Sequence, residues 1–343
     1  MWRNTVVAVI FLTLTVIASG ESSTPCASSR AASREVLALF DQHRLVMLGE
    51  QHRRKEFYDF LHAVVNEPDF PIRVNDIVIE AGNSRFQPIL DRYIRGDNVP
   101  ITELRKIWQD TTMVAVWDSP LYRDFLASVR ELNARLPVAR RLRVLAGDPP
   151  IDWASVKNKD DFQRFADRDR SYATVVEREV LTKGRRALLI VGGIHVIRRA
   201  STETEGKHPG VADLLNVRHP GLAYSVYTLE RPLNEITSCY PSLTIVSGTV
   251  GSLSFGKLVP KSVRIQRIVN GKPEWVEPKE EDWPVIREKL DALLDLGPTM
   301  TEIPETPDVL PDKKYLVELH RRAKILTDFF GFDLESDLPP IPK

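Results

Sequence analysis

Two of the seven histidines in this chain stand three residues after a glycine, in Gly49-Glu50-Gln51-His52 and Gly192-Gly193-Ile194-His195. Glu50 and His52 are two apart, so extended backbone sets them on one side. A carboxylate beside an imidazole can bind a metal, or act as a general base with its orienting partner. The paired glycines before His195 let backbone approach a ligand or turn sharply. One histidine at a strand end is commonly just a loop residue. Two at the same spacing, each after an apolar run, make a candidate site. Glu80 closes a third apolar run, and a carboxylate there needs a partner if its strand is central. Asp148 closes a fourth, although it reads equally well as a turn residue before Pro149-Pro150. Asp167-Arg168-Asp169-Arg170 has the alternation of a solvated helix face. One of its arginines could instead reach inward to an anionic or carbonyl group. His43, His62, His208, His219 and His320 have no such context.

Positioning these groups falls to four short runs: Leu45 to His52, Asp76 to Gly82, Leu142 to Asp148 and Ala187 to His195. Runs this short and rich in Val, Ile and Leu read as strands buried on both faces, as in a parallel sheet. Helical patterns lie between them and supply the crossovers. Open α/β sheets place their ligand crevice beyond the carboxyl ends of the strands. Glu50, His52, Glu80, Asp148 and His195 all fall there, and their side chains are expected within about 10 Å of one another given the strand spacing. Helices are expected near Ala31–His43, Phe57–Val65, Leu121–Leu136, Asp160–Leu181, Trp283–Leu294 and Tyr315–Phe330. Leu222–Leu229 reads as a further strand, and Ser201–Pro209 as a loop. Asn270-Gly271 suits a hairpin turn between Val263–Val269 and Glu274–Val276. The fold class expected is α/β: a mainly parallel sheet flanked by helices, with a small β segment and C-terminal helices appended. The α/β domain should span 31–335, with the β segment at 240–277 and the C-terminal helices at 281–332.

The 343 residues suffice for a large core, and 47 basic against 47 acidic residues give no overall charge to attract nucleic acid. Residues 1–20 read as a secretory signal: Arg3, an apolar stretch from Val6 to Ile17, then Ala18-Ser19-Gly20. That stretch is shorter than the ~20 residues of a membrane span. The expectation is a periplasmic or secreted protein, starting near Glu21, with no membrane span after cleavage. Export would permit a disulfide between Cys26 and Cys239, and the absence of a CxxC pair argues against a structural zinc site. No Gly-x-Ser-x-Gly elbow, Walker loop or dinucleotide fingerprint is present.

Taken together, Leu48-Gly49-Glu50-Gln51-His52, Val78-Ile79-Glu80, Ala146-Gly147-Asp148, Arg168-Asp169 with Tyr172-Ala173, and Val191-Gly192-Gly193-Ile194-His195 resemble the superfamily of erythromycin-esterase-like, ChaN-like haem-uptake and Tiki-type proteins. The resemblance runs from about Glu35 to Leu229. Trp117 to Asp148 looks closer to the esterase-like branch, and Tyr172 stands where a methionine is more usual. The resemblance implies an α/β fold with its site at the strand ends. Esterase-like members hydrolyse a macrolide lactone with His and Glu, Tiki-type members look like metal-dependent proteases, and ChaN-like members bind haem.

The leading expectation is an exported hydrolase acting on an ester or amide in a small molecule or peptide. His52, or a divalent metal held by His52, Glu80 and His195, would activate water. Glu50 would be base or orienter, Arg168 would stabilise negative charge, and His195 would complete the catalytic set. The rival readings are a haem- or iron-binding protein without catalysis, and a secreted fold with a vestigial site.

Overall fold

The computed structural model describes residues 29–199, 209–233, 236, 239–259, 265–269, 272–304, 312–336 and 338–341. Seven strands form one sheet: β1 (Leu45–Glu50), β2 (Asp76–Asn83), β3 (Arg143–Asp148), β4 (Ala187–Gly192), β5 (Ala223–Thr228), β6 (Ser242–Ile245) and β9 (Ala292–Asp295). Their order is β3-β2-β4-β1-β5-β9-β6. All neighbours are parallel except β6, which runs antiparallel to β9 at one edge. β7 (Ile265–Val269) and β8 (Lys272–Val276) form a separate antiparallel pair. The Asn270-Gly271 turn expected between them lies outside the described residues, as do the signal segment 1–20, Cys26 and most of Ser201–Pro209.

Both faces of the sheet are buried, as the continuous apolar runs required. Val46, Leu48, Ile79, Leu188 and Ile190 meet one helical layer, which includes Lys55–Val65 and Pro120–Arg135. Leu45, Met47, Val78, Leu189 and Val191 meet the other, with Arg168–Val176 and Val211–Arg218. Each such side chain taken fully out of water contributes about 1.5–3 kcal/mol. Pro120–Arg135 starts where its sequence dictates. Ser119 Oγ accepts from the Leu121 amide, and Pro120 fills the first turn, where no N–H is needed. The C-terminal helix, Lys313–Phe330, is capped by Asp312 and ends at Gly331 with φ 82°. It packs Leu316, Leu319 and Leu326 against Trp153 and Phe162.

Two element expectations are corrected. Trp283–Leu294 is not a helix: it follows the 3₁₀ turn Glu280–Asp282, holds one more at Ile286–Glu288 and ends in β9. β9 is only four residues long. So short an apolar run has no period of its own, and it is a strand because β5 and β6 pair with it. Asp160–Leu181 is not one helix. It divides into Lys159–Phe162, a 3₁₀ turn, Arg168–Val176 and a wider π turn at Glu177–Leu181. The break lets Asp167 cap a fresh helix by accepting from the Arg170 amide at 3.0 Å, which fixes where Arg168 and Asp169 point. No helix among the described residues is long and apolar enough to cross a membrane.

Candidate functional site

Strand register brings the candidate residues to one edge. Glu50 of β1 is level with Gly192 of β4, and Ile79 of β2 with Ile190 of β4. Alternation sends Glu50 to the face of Val46 and Leu48, and Glu80 to the face of Val78. His52 lies over the end of β4 between them. A Cβ built on Gly192 would stand 3.1 Å from His52 Nε2 and 3.4 Å from Glu80 Oε2. Gly193 is equally constrained, since a Cβ there would stand 3.0 Å from the Tyr227 ring. The double glycine thus opens the space that the imidazole and its neighbours fill.

On the first face, Glu50 is buried beneath two phenols. Tyr58 Oη donates to Glu50 Oε1 at 3.1 Å and Tyr122 Oη donates to the same oxygen at 2.9 Å. His52 Nδ1 is 3.5 Å from that oxygen. The His52 ring stands edge-on to Trp117, with centroids 4.6 Å apart, and its side chain is 28% exposed. Trp117 is held by its own loop. Arg53 donates to the carbonyls of Ala115 and Val116, and both Arg53 and Ala115 adopt positive φ, at 61° and 57°. Two non-glycine residues in the left-handed region at one site mark backbone held by its surroundings. A cavity of about 10 Å³, lined by Glu50, Tyr58, Glu80, Trp108 and Tyr122 among others, lies beneath. That is about the volume one water needs.

On the second face, Glu80 is bound on both oxygens. Arg168 Nη2 donates to Oε1 and the Gly192 amide donates to Oε2, each at 2.5 Å. Burial pushes the Glu80 carboxyl up, but Arg168, His195 and His52 outweigh it and hold the group well below the ordinary carboxylate range. Arg168 Nε also donates to Asp148 Oδ1 at 3.2 Å. Asp148 further accepts from the amide and hydroxyl of Thr112, both at 2.7 Å. Burial raises the Asp148 carboxyl to about 6 against the pull of Arg168 and Thr112. His195 Nδ1 is 2.7 Å from Asp169 Oδ1, and its Nε2 is 3.5 Å from Glu80 Oε1. Burial works against its charge, yet Asp169 and Glu80 raise it to about 9, so His195 is an imidazolium at neutral pH.

Glu50, His52, Glu80, Arg168 and His195 therefore meet at one edge. Asp148 is a buried partner of Arg168, not only a turn residue. Arg168 is the arginine that reaches inward, while Arg170 pairs with Asp167 at the surface. Tyr58, Tyr122, Thr112 and Asp169 complete the site; of these the sequence named only Asp169, within the Arg168-Asp169 motif, and gave it no role of its own. Tyr58 and Tyr122 lie on helices that were expected, without being named there.

A metal held by His52, Glu80 and His195 does not fit these residues. Glu80 Oε1 already carries a guanidinium, and His195 presents N–H groups toward carboxylates where a metal needs a lone pair. Among the described residues, no group of three His, Cys, Asp or Glu is placed to hold a metal ion. As a haem ligand, His195 would face the same obstacle.

No family model and no curated protein sequence matches the chain. Solved structures similar to it include a Bacillus cereus protein, with TM-score 0.46, 11% identity and coverage of 83% of this chain and 96% of that one. A mutant of the erythromycin esterase EreC in its open conformation has TM-score 0.46 and 13% identity, covering 78% and 94%. ChaN of Campylobacter jejuni, which binds haem cofacially, has TM-score 0.38 and 15% identity, covering 60% and 87%. An erythromycin esterase and a ChaN protein, both named by the sequence resemblance, are thus among the chain's structural neighbours. Likeness this distant carries no activity over to the chain.

Proposed function

We propose that the chain is a metal-independent hydrolase in which His52 activates water against an ester or amide. The observation that carries this reading is the solvent-reachable His52 imidazole 3.5 Å from the buried Glu50 carboxylate. Glu50 orients the ring and stabilises the charge it gains. His52 Nε2 takes a proton from water, the resulting hydroxide attacks the carbonyl carbon, and the leaving group takes a proton as the bond breaks. His52, protonated by that step, returns the proton to the leaving group, while His195 stays paired with Asp169 and Glu80. Arg168 has its donors on Glu80 and Asp148, so it acts through the field it adds and by holding the two carboxylates in place. A small-molecule or peptide substrate would approach from the strand ends.

Export belongs to the same reading. The N-terminal pattern supports it, and Cys239 is disulfide-bonded, a state that persists in oxidising compartments. N-terminal sequencing of secreted protein should begin near Glu21. An intact Met1 on exported material would mean an anchor instead.

The deciding experiment is a screen of esters and amides with wild type and His52→Ala, each with and without a chelator. Hydrolysis that is lost in the variant and indifferent to the chelator supports the proposal. Full activity in His52→Ala ends it. A haem titration on the same preparations tests the rival: a Soret shift abolished by His52→Ala, with no hydrolysis in the screen, would move the assignment to haem binding.

A further inference from the structure

Three groups face Glu50 Oε1, and the oxygen can satisfy only two. A carboxylate oxygen offers two lone-pair directions. The Tyr58 and Tyr122 phenols take both, at 3.1 and 2.9 Å. His52 Nδ1 is left at 3.5 Å, beyond normal N–H···O length, and it is a buried atom with no hydrogen-bond partner. The phenols are not free to turn away. Their rings meet edge to face at 5.3 Å, and Tyr122 also packs edge-on to Trp117 at 5.1 Å. Trp117 in turn packs on His52. Burial and the Glu50 charge push both phenols well above their ordinary value, so both keep the proton they donate.

We propose that Tyr58 and Tyr122 are positioning residues that hold the Glu50–His52 pair open by occupying Glu50 Oε1, so that the pair closes only when one phenol yields its place. No other group among the described residues is hydrogen-bonded to His52 Nδ1. Glu80, across Gly192, is bound by Arg168 and Gly192, and Trp117 offers its ring. The bearing on catalysis rests on His52 as the water-activating group. The open pair is a ground-state property that can be read without any substrate.

The test uses the full chain with ¹⁵N-labelled histidine, in wild type, Tyr58→Phe and Tyr122→Phe. Each substitution removes one O–H donor and keeps the ring. The His52 Nδ1–H resonance is assigned by its loss in His52→Ala. In either phenylalanine variant, protection of that proton from solvent exchange should rise about tenfold or more, the least a hydrogen bond to a charged acceptor supplies. Adding Glu50→Gln should cancel the gain. Unchanged protection in a variant that melts like wild type overturns the proposal. So does a wild type that already shows a downfield, strongly protected Nδ1–H, a result that needs no variant to fold. Either outcome holds whether or not hydrolysis is found, so it is separable from the functional reading.

Discussion

His52 and Glu80 leave neighbouring strand ends, yet they should respond oppositely to truncation. His52 is partly open and its ring fills no core space, so His52→Ala should lower hydrolysis by roughly 10²–10⁴-fold, the range for a general base, with melting little changed. Glu80 is buried under Arg168, the Gly192 amide and His195. Glu80→Ala leaves two buried cations short of a partner and should cost about 3–5 kcal/mol. The sequence asked for a partner to this carboxylate if its strand is central, and β2 lies between β3 and β4. Thermal melting of both variants beside wild type decides the contrast, and equal melting would mean that Glu80 needs no such partner. His195 adds a pH dependence whose sign is fixed. Its charged form is favoured in the folded state up to about 9, against 6.5 when free. Its contribution is therefore complete below pH 6.5 and is lost as pH rises toward 9, on the order of 3 kcal/mol. Melting followed across that window should fall in wild type and fall less in His195→Gln.

Among the elements, the end of β4 carries the site. Gly192 has φ −51°, which alanine adopts without strain, so Gly192→Ala tests space alone. Its methyl would press on the His52 ring and Glu80, and a shift of about 1 Å there should lower hydrolysis by roughly 10²-fold. A kcat measurement with melting as control checks it, and full activity would mean that His52 need not lie against β4. This element was legible in the sequence, since Val191-Gly192-Gly193-Ile194-His195 follows an apolar run too short for a helix. β1 to β4 were legible for the same reason: burial on both faces writes itself as an unbroken aliphatic run. β9 and β6 were not, because four residues are too few to separate strand from helix by period. Of the site, Glu50, His52, Glu80 and His195 could be read because each abuts such a run. Tyr58 and Tyr122 could not, because a buried tyrosine on an apolar stripe looks like core, and Asp169 was named only as part of a motif. Asp169 in a run of alternating charge looks like surface.

Across the whole molecule, the two ends of the sheet are both charged and do different work. At the amino ends of the strands, buried Asp76 is gripped by Arg143 at 2.7 and 3.0 Å and by Arg185 at 2.7 and 2.8 Å, with backbone and not ligand space around it. Asp76→Asn should cost about 3 kcal/mol and leave hydrolysis per folded molecule unchanged, because it loosens β2, β3 and β4 at the end away from His52. Urea unfolding and active-fraction kinetics separate the two effects. A drop in turnover beyond the folded fraction would show that the ends communicate. At the carboxyl ends, Arg168 sits where two buried carboxylates converge. Its positive charge is covalently part of the chain that it steadies. It cannot be diluted away, captured by a scavenger or exchanged for a competitor ion. At this point in the fold the charge that Glu80 and Asp148 need is supplied by the chain itself.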